Sequence, residues 1–598
     1  MPDPATHDRL ASPATTPAGI QSAAQLTRRR SVAAGLNIAT FLALALALSQ
    51  VLGAGGWTLL DTAIFLCFLI AAPWSVLGFW NAMIGLWLLH GAGGGTALDK
   101  VAPFAAAGDC LSALKSRTAV LMTLRNEDPA RAFLRLATVK ASLDATGQGA
   151  HFCYFVLSDT ALPDVAAAEE WLFEQWRAQS GPTQLFYRRR ADNEGYKAGN
   201  IRDFCTRWGH DFDYMLALDA DSLMAGPTVL RMVRIMEEYP KLGLLQSLVV
   251  GTPAQSAFAR IFQFGMRHGM RAYTMGSAWW AGDCGPFWGH NALLRIAPFL
   301  AHCQLPVLPG DGPLGGQLLS HDQVEAVLLR RAGFEVRVLP QETGSYEDNP
   351  PTILEFTRRD LRWCQGNMQY WRLLGLPGLK FMSRFQLVWA IMMFAGIPAW
   401  TLLLALVGLR ALVPKAGPFP AGLALGIYGV FLMMYLAPKL AGFLDAVLTQ
   451  GELARYGGGL RFAAGCLTEL AFSFFLGAVT TFRTALFMVG LVFGRTVGWS
   501  GQARDAHALS WSTALAGLWP QSLFGIVLLV LYWRISPQLA LWSLPLTAGF
   551  VLAVPFAVLT SSARLGAMLA RWKLCAVPEE FQVPPEIAAI AGPNLRET

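Results

Sequence analysis

The segment YMLALDADS, residues 214–222, joins an apolar run to two carboxylates that are separated by one residue. The apolar run at 214–218 predicts a buried β-strand. Asp219 and Asp221 then project on the same side of the extended chain, where two hard oxygen ligands suit Mg²⁺ or Mn²⁺. A solvated turn is the alternative, because Asp-x-Asp pairs are common, but the position at a strand end favours the metal site.

The sequence around this segment alternates strands with helices. Apolar runs at 118–124, 152–158 and 185–189 predict three more strands, and residues 130–143 predict a helix between the first two. This rhythm predicts a mostly parallel sheet covered by helices, within a domain of normal charge density at 99–380. Sheets of this kind bind their ligands at the carboxyl ends of the strands.

Two apolar regions flank this domain. The chain has 54% hydrophobic and 15% charged residues, whereas a soluble domain carries about 25% charged residues. The stretches long enough to cross about 30 Å of hydrocarbon are 33–52, 57–89, 385–412, 420–436, 462–479, 513–533 and 539–560. Pro73 and Trp74 predict a break within the second stretch. Residues 485–493 fit either a span formed with their neighbours or an interfacial amphipathic helix.

Basic residues beside the apolar stretches predict the orientation of the chain. Arg28–Arg30 place the N-terminus in the cytoplasm, so that two crossings return the chain and leave the α/β domain cytoplasmic. Arg564, Arg571 and Lys573 predict a cytoplasmic C-terminus, which requires an even number of later crossings, and we expect six. The net charge of +7 is attributed to the same basic residues, and the nine scattered cysteines predict reduced, buried thiols.

The fold class is therefore a membrane α-helical bundle with a cytoplasmic α/β domain. We divide the chain into a disordered tail at 1–27, transmembrane helices at 28–98, the α/β domain at 99–380, a transmembrane bundle at 381–562 and a cytoplasmic tail at 563–598. The bundle region includes interfacial helices and a loop near 495–508.

Polar side chains also follow the other predicted strands. Asp159 can accept a hydrogen bond from a base or a ribose, and Glu127 follows the first strand; each can equally belong to a helix cap. Lys197, in the segment GYKAGN at 195–200, can reach a diphosphate as a point charge beside a helix start. For the three arginines at 188–190 we favour a solvated basic loop.

Two later segments carry further candidates. Asp322, in the segment SHD, can act as a general base, or it can cap the helix that begins there. In RRDLRWCQGN, residues 358–367, Arg362 can neutralise a departing diphosphate and Trp363 offers a flat face for a sugar ring. An interfacial helix before a span is the alternative, and it leaves Gln365 and its neighbours unexplained.

In order and spacing these segments resemble the processive family 2 glycosyltransferases. The strings ADNEGYKAGN, LDADSLM, GPFWGHNALLR, SHDQVEA, SYEDNPPT and RRDLRWCQGN, and later GRTVGWSGQARD and VPEEFQVPPE, look like the glucosyltransferases of osmoregulated periplasmic glucan synthesis. The resemblance implies a GT-A-like nucleotide-sugar-binding domain with UDP-glucose as donor. It also implies inverting, processive synthesis of a linear β-1,2-glucan that is passed across the bacterial inner membrane.

The resemblance also implies roles for single residues. It places Asp159 and Lys197 on the nucleotide, Asp219 and Asp221 on donor and metal, Asp322 as the base, and Arg362 with Trp363 at the pyrophosphate and acceptor end. The remaining donor-binding candidates are Glu127, Gln365 and, in a loop closing over the donor, Trp499, Gln502 and Arg504.

This sequence departs from the general family pattern at two positions. Arg359 stands where the Gln-x-x-Arg-Trp motif has glutamine, and His321 stands where the Thr-Glu-Asp motif has its middle acid. The roles of these two residues are left open by the resemblance.

Two other functions are weighed against this one. A related synthase would make a cellulose-like, hyaluronan-like or glycolipid product, and a transporter or scaffold would only bind nucleotide. The expected partners are UDP-glucose, the growing glucan and membrane lipids, with no nucleic acid. The resemblance adds periplasmic glucan-processing proteins and acyl carrier protein.

Overall fold

The structure is a computed structural model that describes residues 20–91, 93–180, 184–413, 419–497 and 507–591. An α/β domain lies between two groups of long apolar helices. Its strands are β1 (Thr118–Leu124), β2 (Phe152–Ser158), β3 (Leu185–Arg189), β4 (Tyr214–Asp219), β5 (Leu223–Met224), β6 (Leu242–Gly251), β7 (Ala292–Arg295) and β8 (Glu335–Glu347).

The helices fall into three groups along the chain. Before the sheet come α1 (Ala23–Gly53), α2 (Leu59–His90) and α3 (Ala97–Val101). Within the domain are α4 (Pro129–Ala145), α5 (Pro163–Ser180), α6 (Tyr196–Trp208), α7 (Gly226–Glu238), α8 (Ala257–Ala281), α9 (Ile296–His302), α10 (Asp322–Arg331) and α11 (Ile353–Gln369). After it come α12 (Phe381–Ala411), α13 (Ala421–Leu448), α14 (Glu452–Arg455), α15 (Gly459–Val492), α16 (Trp511–Ile535), α17 (Pro537–Val551), α18 (Ala553–Ser561), α19 (Ala563–Arg571) and α20 (Pro585–Ile590).

The eight strands form one mixed sheet in the order β3-β2-β1-β4-β7-β6-β8-β5. The half made of β3, β2, β1 and β4 is parallel, as the sequence predicted, and the predicted strand bounds differ by only one residue, at the end of β4. All seven residues of β2 are buried. This near-continuous burial is expected of a parallel strand that is covered by helices on both faces.

The register of the parallel strands positions the site. Leu124 at the end of β1 pairs with Ser158 at the end of β2, and Thr123 pairs with Asp219 at the end of β4. The loops that follow these three strands therefore leave the sheet at the same edge. This is the edge at which parallel sheets bind their ligands.

The other half of the sheet contains an antiparallel strand that the sequence did not predict. β7 runs antiparallel to both β4 and β6, with Ala292 at its start opposite Ala217 of β4. Since the start of an antiparallel strand lies beside the end of its neighbour, residues 289–291 reach the same edge as Asp219. β7 has only four residues, too few for a period-2 pattern to stand out.

The apolar helices make this a membrane protein. Six described helices are long and apolar enough to cross a bilayer, namely α1, α2, α12, α13, α15 and α16, and the bent pair α17–α18 counts as a seventh if it is one span. The predicted break at Pro73 is wrong, because α2 runs through this proline as one helix of 32 residues. Neighbouring helices compensate for a proline in a membrane helix.

The count of later crossings also differs from the expected six. α15 begins and ends on the side of the α/β domain: Phe264 of α8 lies against Gly465 near its start, and Val497 after its end donates a hydrogen bond of 2.8 Å to Gln365. Residues 485–492 are thus a continuation of α15. The pair α17–α18 returns to the start of α16, where Leu509 N donates to Ser561 Oγ at 2.9 Å. Without α15, the candidate spans after the domain are α12, α13, α16 and the bent pair α17–α18. Their even number agrees with the contacts between the C-terminal residues and the α/β domain.

The basic cluster before α1 has a second role that its sequence did not indicate. Arg29 donates to the carbonyl of Lys100 at 2.8 Å, and Arg30 donates to the carbonyl of Ala281 at 2.7 Å and pairs with Asp283 at 2.5 Å. These bonds tie the first transmembrane helix to the α/β domain. These two arginines therefore make intramolecular contacts, in addition to favouring the cytoplasmic side of the membrane.

The C-terminal region returns to the α/β domain after the last crossing. Glu579 lies 3.1 Å from Arg267 of α8, which also pairs with Glu342 of β8, and Glu580 lies 2.9 Å from Arg260. Ile587 of α20 is buried in the core of the domain beneath the sheet. The region predicted as a cytoplasmic tail therefore includes a packed strap, which holds α8 against β8 through buried ion pairs.

Replacing Glu579 with glutamine is expected to lower the free energy of unfolding by about 2 kcal/mol, because it leaves part of the Arg267 charge buried and uncompensated. The melting temperature of the purified protein in detergent measures this change. Glu174→Gln is the matched control, since the Glu174 side chain is 67% exposed on α5. Equal melting temperatures for the two variants would contradict the role of the strap.

Candidate active site

The ends of β1, β2 and β4 open into one pocket. Lys197 on α6 pairs with Asp219, and its Nζ also donates to the carbonyl of Gly289 at 2.7 Å. The Asp219 side chain is 35% exposed towards the pocket, whereas the Asp221 side chain is almost buried. The two predicted carboxylates and the predicted lysine thus line the same pocket.

The turn before α6 is shaped for this arrangement. Gly195 has a φ of +68° at the helix start, in the left-handed region that favours glycine. A Cβ on Gly199 in the first turn would collide with the carbonyl of Glu194. The two glycines therefore let the turn close tightly and carry Lys197 towards the end of β4.

Asp159 at the end of β2 also lines the pocket, and it is paired with an arginine. Arg190 Nε and Nη2 each lie 2.7 Å from one oxygen of this carboxylate. Arg188 donates to Asn200 Oδ1 at 2.7 Å and pairs with Asp203. The solvated basic loop that we favoured for the arginines is therefore wrong for these two, which hold the turn before α6 against β2.

The two acidic residues after β1, Glu127 and Asp128, have different roles. Asp128 is the N-cap of α4, since its carboxylate accepts from the amides of Ala130 and Arg131. Glu127 instead lines the pocket, where one of its oxygens accepts from the amide of Arg125. Only one of these neighbouring acids is thus used for capping.

Asp322 enters the same pocket from the first turn of α10. Its carboxylate lies against Gly289, where an added Cβ would come within 2.5 Å of Asp322 Oδ1. Gly289 has a φ of +85°, so a side chain there would be both strained and obstructed. Because Lys197 binds the carbonyl of the same glycine, Gly289 connects the base candidate with the carboxylates at the end of β4.

A cationic histidine stands beside the base candidate. His321 Nδ1 lies 3.1 Å from a carboxylate oxygen of Asp322 and 3.1 Å from one of Glu325. Burial opposes protonation of the imidazole, but the two carboxylates outweigh it and raise the pKa of His321 to about 9. The three side chains are close enough to hold an ion. Because the imidazole nitrogen lies within ion-pair distance of both carboxylates, we interpret the three side chains as an ion-pair cluster.

The helix α11 forms the wall opposite the strand ends. Arg362 and Trp363 line the pocket, and the Trp363 side chain is 41% exposed. Burial lowers the pKa of Arg362, and the nearby carboxylate of Asp219 opposes this effect. On another face of the same helix, Asp360 accepts a hydrogen bond of 3.3 Å from Thr484 of α15. The helix therefore lies between the pocket and α15, and its Cys364 packs against Phe394 of the apolar helix α12.

The structure does not bring Gln365 into the pocket. Its Nε2 donates to the carbonyl of Pro313 at 3.0 Å, and its Oε1 accepts from Val497 N at 2.8 Å. Both ends of the amide are thus used in joining two loops. The three remaining candidates, Trp499, Gln502 and Arg504, lie outside the described residues.

Some pocket residues were missed by sequence reasoning. His290, just before β7, lies 3.2 Å from Glu347 and 3.4 Å from the hydroxyl of Ser222, which in turn accepts from Asp219 N at 3.0 Å. Burial opposes both charges, but each partner outweighs it, raising the pKa of His290 and lowering that of Glu347. In the sequence, the available signal for this site is a polar histidine beside a glycine in the string GPFWGHN.

The donor set at the end of β4 suits a hard divalent ion. Asp219 and Asp221 supply carboxylate oxygens from one strand end, and Asp219 faces the open pocket. No sulfur ligand lines the pocket among the described residues, which agrees with a preference for Mg²⁺ or Mn²⁺ over softer metals. The residues therefore fit the implied metal.

Comparisons with known proteins show the family to which the chain belongs. The sequence model of the family described as "Glycosyl transferase family group 2" matches residues 214–437, from β4 into α13. The glucans biosynthesis glucosyltransferase H of Xanthomonas campestris pv. campestris (strain B100) is 36% identical over 97% of this chain and 90% of its own length. Its namesake in Caulobacter vibrioides (strain NA1000 / CB15N) is 37% identical over 90% of this chain and 83% of its own length. The glucans biosynthesis glucosyltransferase H of Xylella fastidiosa (strain 9a5c) is 35% identical over 93% of this chain and 90% of its own length.

Proposed function

The chain belongs to the glucans biosynthesis glucosyltransferase H family, and on this premise we propose that it transfers glucose from UDP-glucose to build a linear β-1,2-glucan. The observation that carries the proposal is one pocket in which a base candidate, a carboxylate pair and an arginine converge. This pocket lies against α11, the helix that borders the membrane bundle. A glycosyltransferase that exports its polymer needs this adjacency.

The donor is proposed to lie along the strand ends. Asp159, held by Arg190, faces uridine, and Lys197 faces the diphosphate beside Asp219. Glu127 lines the same end of the pocket and is proposed to contact the nucleotide. A divalent ion held by Asp219 and Asp221, when bound, would neutralise the charge that develops on the departing UDP.

The chain's own groups supply the rest of the chemistry. Asp322 removes the proton from an acceptor hydroxyl, and that oxygen bonds to the anomeric carbon from the face opposite UDP. The bond from the anomeric carbon to the diphosphate oxygen breaks, and UDP leaves with both electrons of that bond. Arg362 stabilises the leaving diphosphate, and Trp363 packs against the sugar at the acceptor end. The configuration inverts, so an α-linked donor yields a β-linked product.

The membrane arrangement is proposed to serve export. Nucleotide sugars are made in the cytoplasm, so the α/β domain is placed on that side of the inner membrane, in line with the basic residues of the N-terminus. The growing glucan then leaves past α11 into the bundle towards the periplasm.

Product analysis tests the proposal. Purified full-length protein in detergent is incubated with radiolabelled UDP-glucose and Mg²⁺ or Mn²⁺, and UDP release and polymer linkage are measured. We expect UDP release together with 1,2-linked glucose. A 1,4-linked product, or a preference for UDP-N-acetylglucosamine, would instead identify a cellulose-like or hyaluronan-like synthase. Nucleotide binding without UDP release would identify a binding protein.

The pH profile of transfer provides a further prediction. His321 is protonated below its pKa of about 9, and its charge keeps the Asp322 carboxylate in place. Activity is therefore expected to fall as the pH rises through about 9, and His321→Gln is expected to abolish this alkaline limb. The pKa of His321 is higher in the folded protein than its value of about 6.5 in the unfolded chain. The stability that protonated His321 contributes is therefore fully present below pH 6.5, and it is lost as the pH rises towards 9.

Two measurements check the role of His321. Initial rates between pH 6 and 10 give the alkaline limb, and melting temperatures over the same range give the stability. His210→Gln is the control, since the His210 side chain is 74% exposed. An unchanged alkaline limb in His321→Gln would show that another group controls it.

A further inference from the structure

We propose that the surface where the membrane bundle meets the C-terminal strap binds the headgroup of an anionic phospholipid. This surface, here called the junction patch, consists of Leu460, Arg461, Arg564, Arg571, Trp572 and Lys573. The inference goes beyond the proposed function and does not depend on which sugar the enzyme transfers.

The helix α19 lies at the boundary between the bundle and the α/β domain. It begins one residue after α18, the second half of the bent pair that counts as one candidate span. A Cβ on Gly566 would collide with the carbonyl of Gln255, so one face of α19 packs closely against the segment before α8. Arg564, Met568 and Arg571 share the opposite face and are exposed. A short amphipathic helix that follows a span directly lies at the membrane surface.

The turn after α19 brings a lysine to the start of α15. Lys573 Nζ lies 5.6 Å from the ring centroid of Phe581 in the strap. A Cβ on Gly457 would collide with the edge of the same ring, and Arg461 donates to the carbonyl of Gly457 at 3.4 Å. Arg461 and Lys573, which are far apart in sequence, therefore both lie beside one phenylalanine.

The packing of the domain fixes the shape of this turn. Lys573 has a φ of +52° and Cys575 a φ of +50°, in the left-handed region that residues other than glycine rarely adopt. The carbonyl of Leu574 between them accepts from Arg260 Nε at 2.9 Å, and Cys575 is buried. Such a backbone persists only where the surrounding structure holds it. The turn therefore keeps the exposed side chain of Trp572 and the charge of Lys573 in fixed positions.

The positive charges of the junction patch are not neutralised by nearby acids. The three arginines and the lysine form no ion pair with a carboxylate among the described residues. The strap acids Glu579 and Glu580 are paired with arginines of α8, and Glu452 before α15 is paired with Arg455. An excess of positive charge therefore remains at this surface, and it attracts an anion.

The exposed apolar side chains of the patch identify this anion as a lipid. The residue before Arg461 is Leu460, which is 91% exposed, and the residue before Lys573 is Trp572, which is 62% exposed. Tryptophan is enriched at the level of the lipid headgroups, where basic side chains contact phosphate. A soluble phosphate would use only the cations. A phospholipid also covers the leucine and the indole ring with its apolar part.

Native mass spectrometry of the full-length protein in detergent tests the proposal. The protein is titrated with phosphatidylglycerol and, separately, with phosphatidylcholine. For the double variant Arg461→Gln, Lys573→Gln we expect the affinity for the most tightly bound phosphatidylglycerol to fall about 25-fold, roughly fivefold for each lost cation. Phosphatidylcholine affinity should change less than about twofold. Lys573→Arg keeps the charge and should keep the affinity of the wild type.

Arg534→Gln is the matched control. Arg534 is exposed in the last turn of α16, whose first turn lies beside Ser561, so this control removes a cation from the opposite end of the bundle. Its affinity for phosphatidylglycerol should equal that of the wild type.

A second double variant, Arg564→Gln, Arg571→Gln, changes only exposed side chains of α19. It should lower the affinity for phosphatidylglycerol without lowering the melting temperature in lipid-free detergent, even if the first double variant is unstable. Unchanged phosphatidylglycerol affinity in this variant would overturn the inference. Equal losses for the two lipids would also overturn it, and so would displacement of the lipid by soluble glycerol 3-phosphate at equal concentration, which would identify a site for small anions.

Discussion

Asp322→Asn is expected to lower the rate of glucosyl transfer about 1,000-fold, the typical range for loss of a general base. The amide is nearly the same size as the carboxylate, so the contact with Gly289 persists while the proton acceptor is lost. Binding of UDP should be almost unaffected, because Asp322 acts on the acceptor. Polymer formation from radiolabelled UDP-glucose measures the rate, and calorimetry measures UDP affinity.

Asp311→Asn is the matched control for this experiment. Asp311 is an exposed carboxylate in the segment that leads to α10, and its loss should leave the rate unchanged. Residual activity above a tenth of wild type in Asp322→Asn would exclude this residue as the base. Glu127 and Glu347, which line the same pocket, would then be the next candidates.

Asp221→Asn has the second largest expected effect. This side chain is proposed to hold the divalent ion from a nearly buried position, so a neutral amide should weaken metal binding and slow the departure of UDP. We expect a loss of about 100-fold in transfer at a fixed metal concentration. We also expect half-maximal activity to need about ten times more Mg²⁺ or Mn²⁺.

Metal titrations of activity distinguish this role from a general loss of stability. Asp192→Asn is the control, because Asp192 is exposed on the loop before α6 and its substitution removes the same charge close to the pocket. Excess metal should partly restore Asp221→Asn and leave the control unaffected. A variant that lost activity with an unchanged metal requirement would show that Asp221 does not bind the ion.

The parts of the candidate site that were predictable are those that follow a strand. Asp159, Asp219 and Asp221 come directly after apolar runs, and the parallel register then brings these runs to one edge of the sheet. Arg190 and Glu347 were not predictable in the same way. Their function depends on partners that are distant in sequence or on a strand whose pairing the local pattern does not reveal.

The pattern of apolar and polar residues along the chain was enough to determine which regions form long apolar helices, the parallel half of the sheet and the strand-end carboxylates. These features depend on local periodicity, which a single sequence records directly. Only the tertiary structure decided that Gly289 joins Lys197 to Asp322, that α15 starts and ends beside the α/β domain, and that Arg359 stacks on Trp363. Each of these is a contact whose geometry is set by the packing of whole elements against one another, and no short stretch of sequence specifies it.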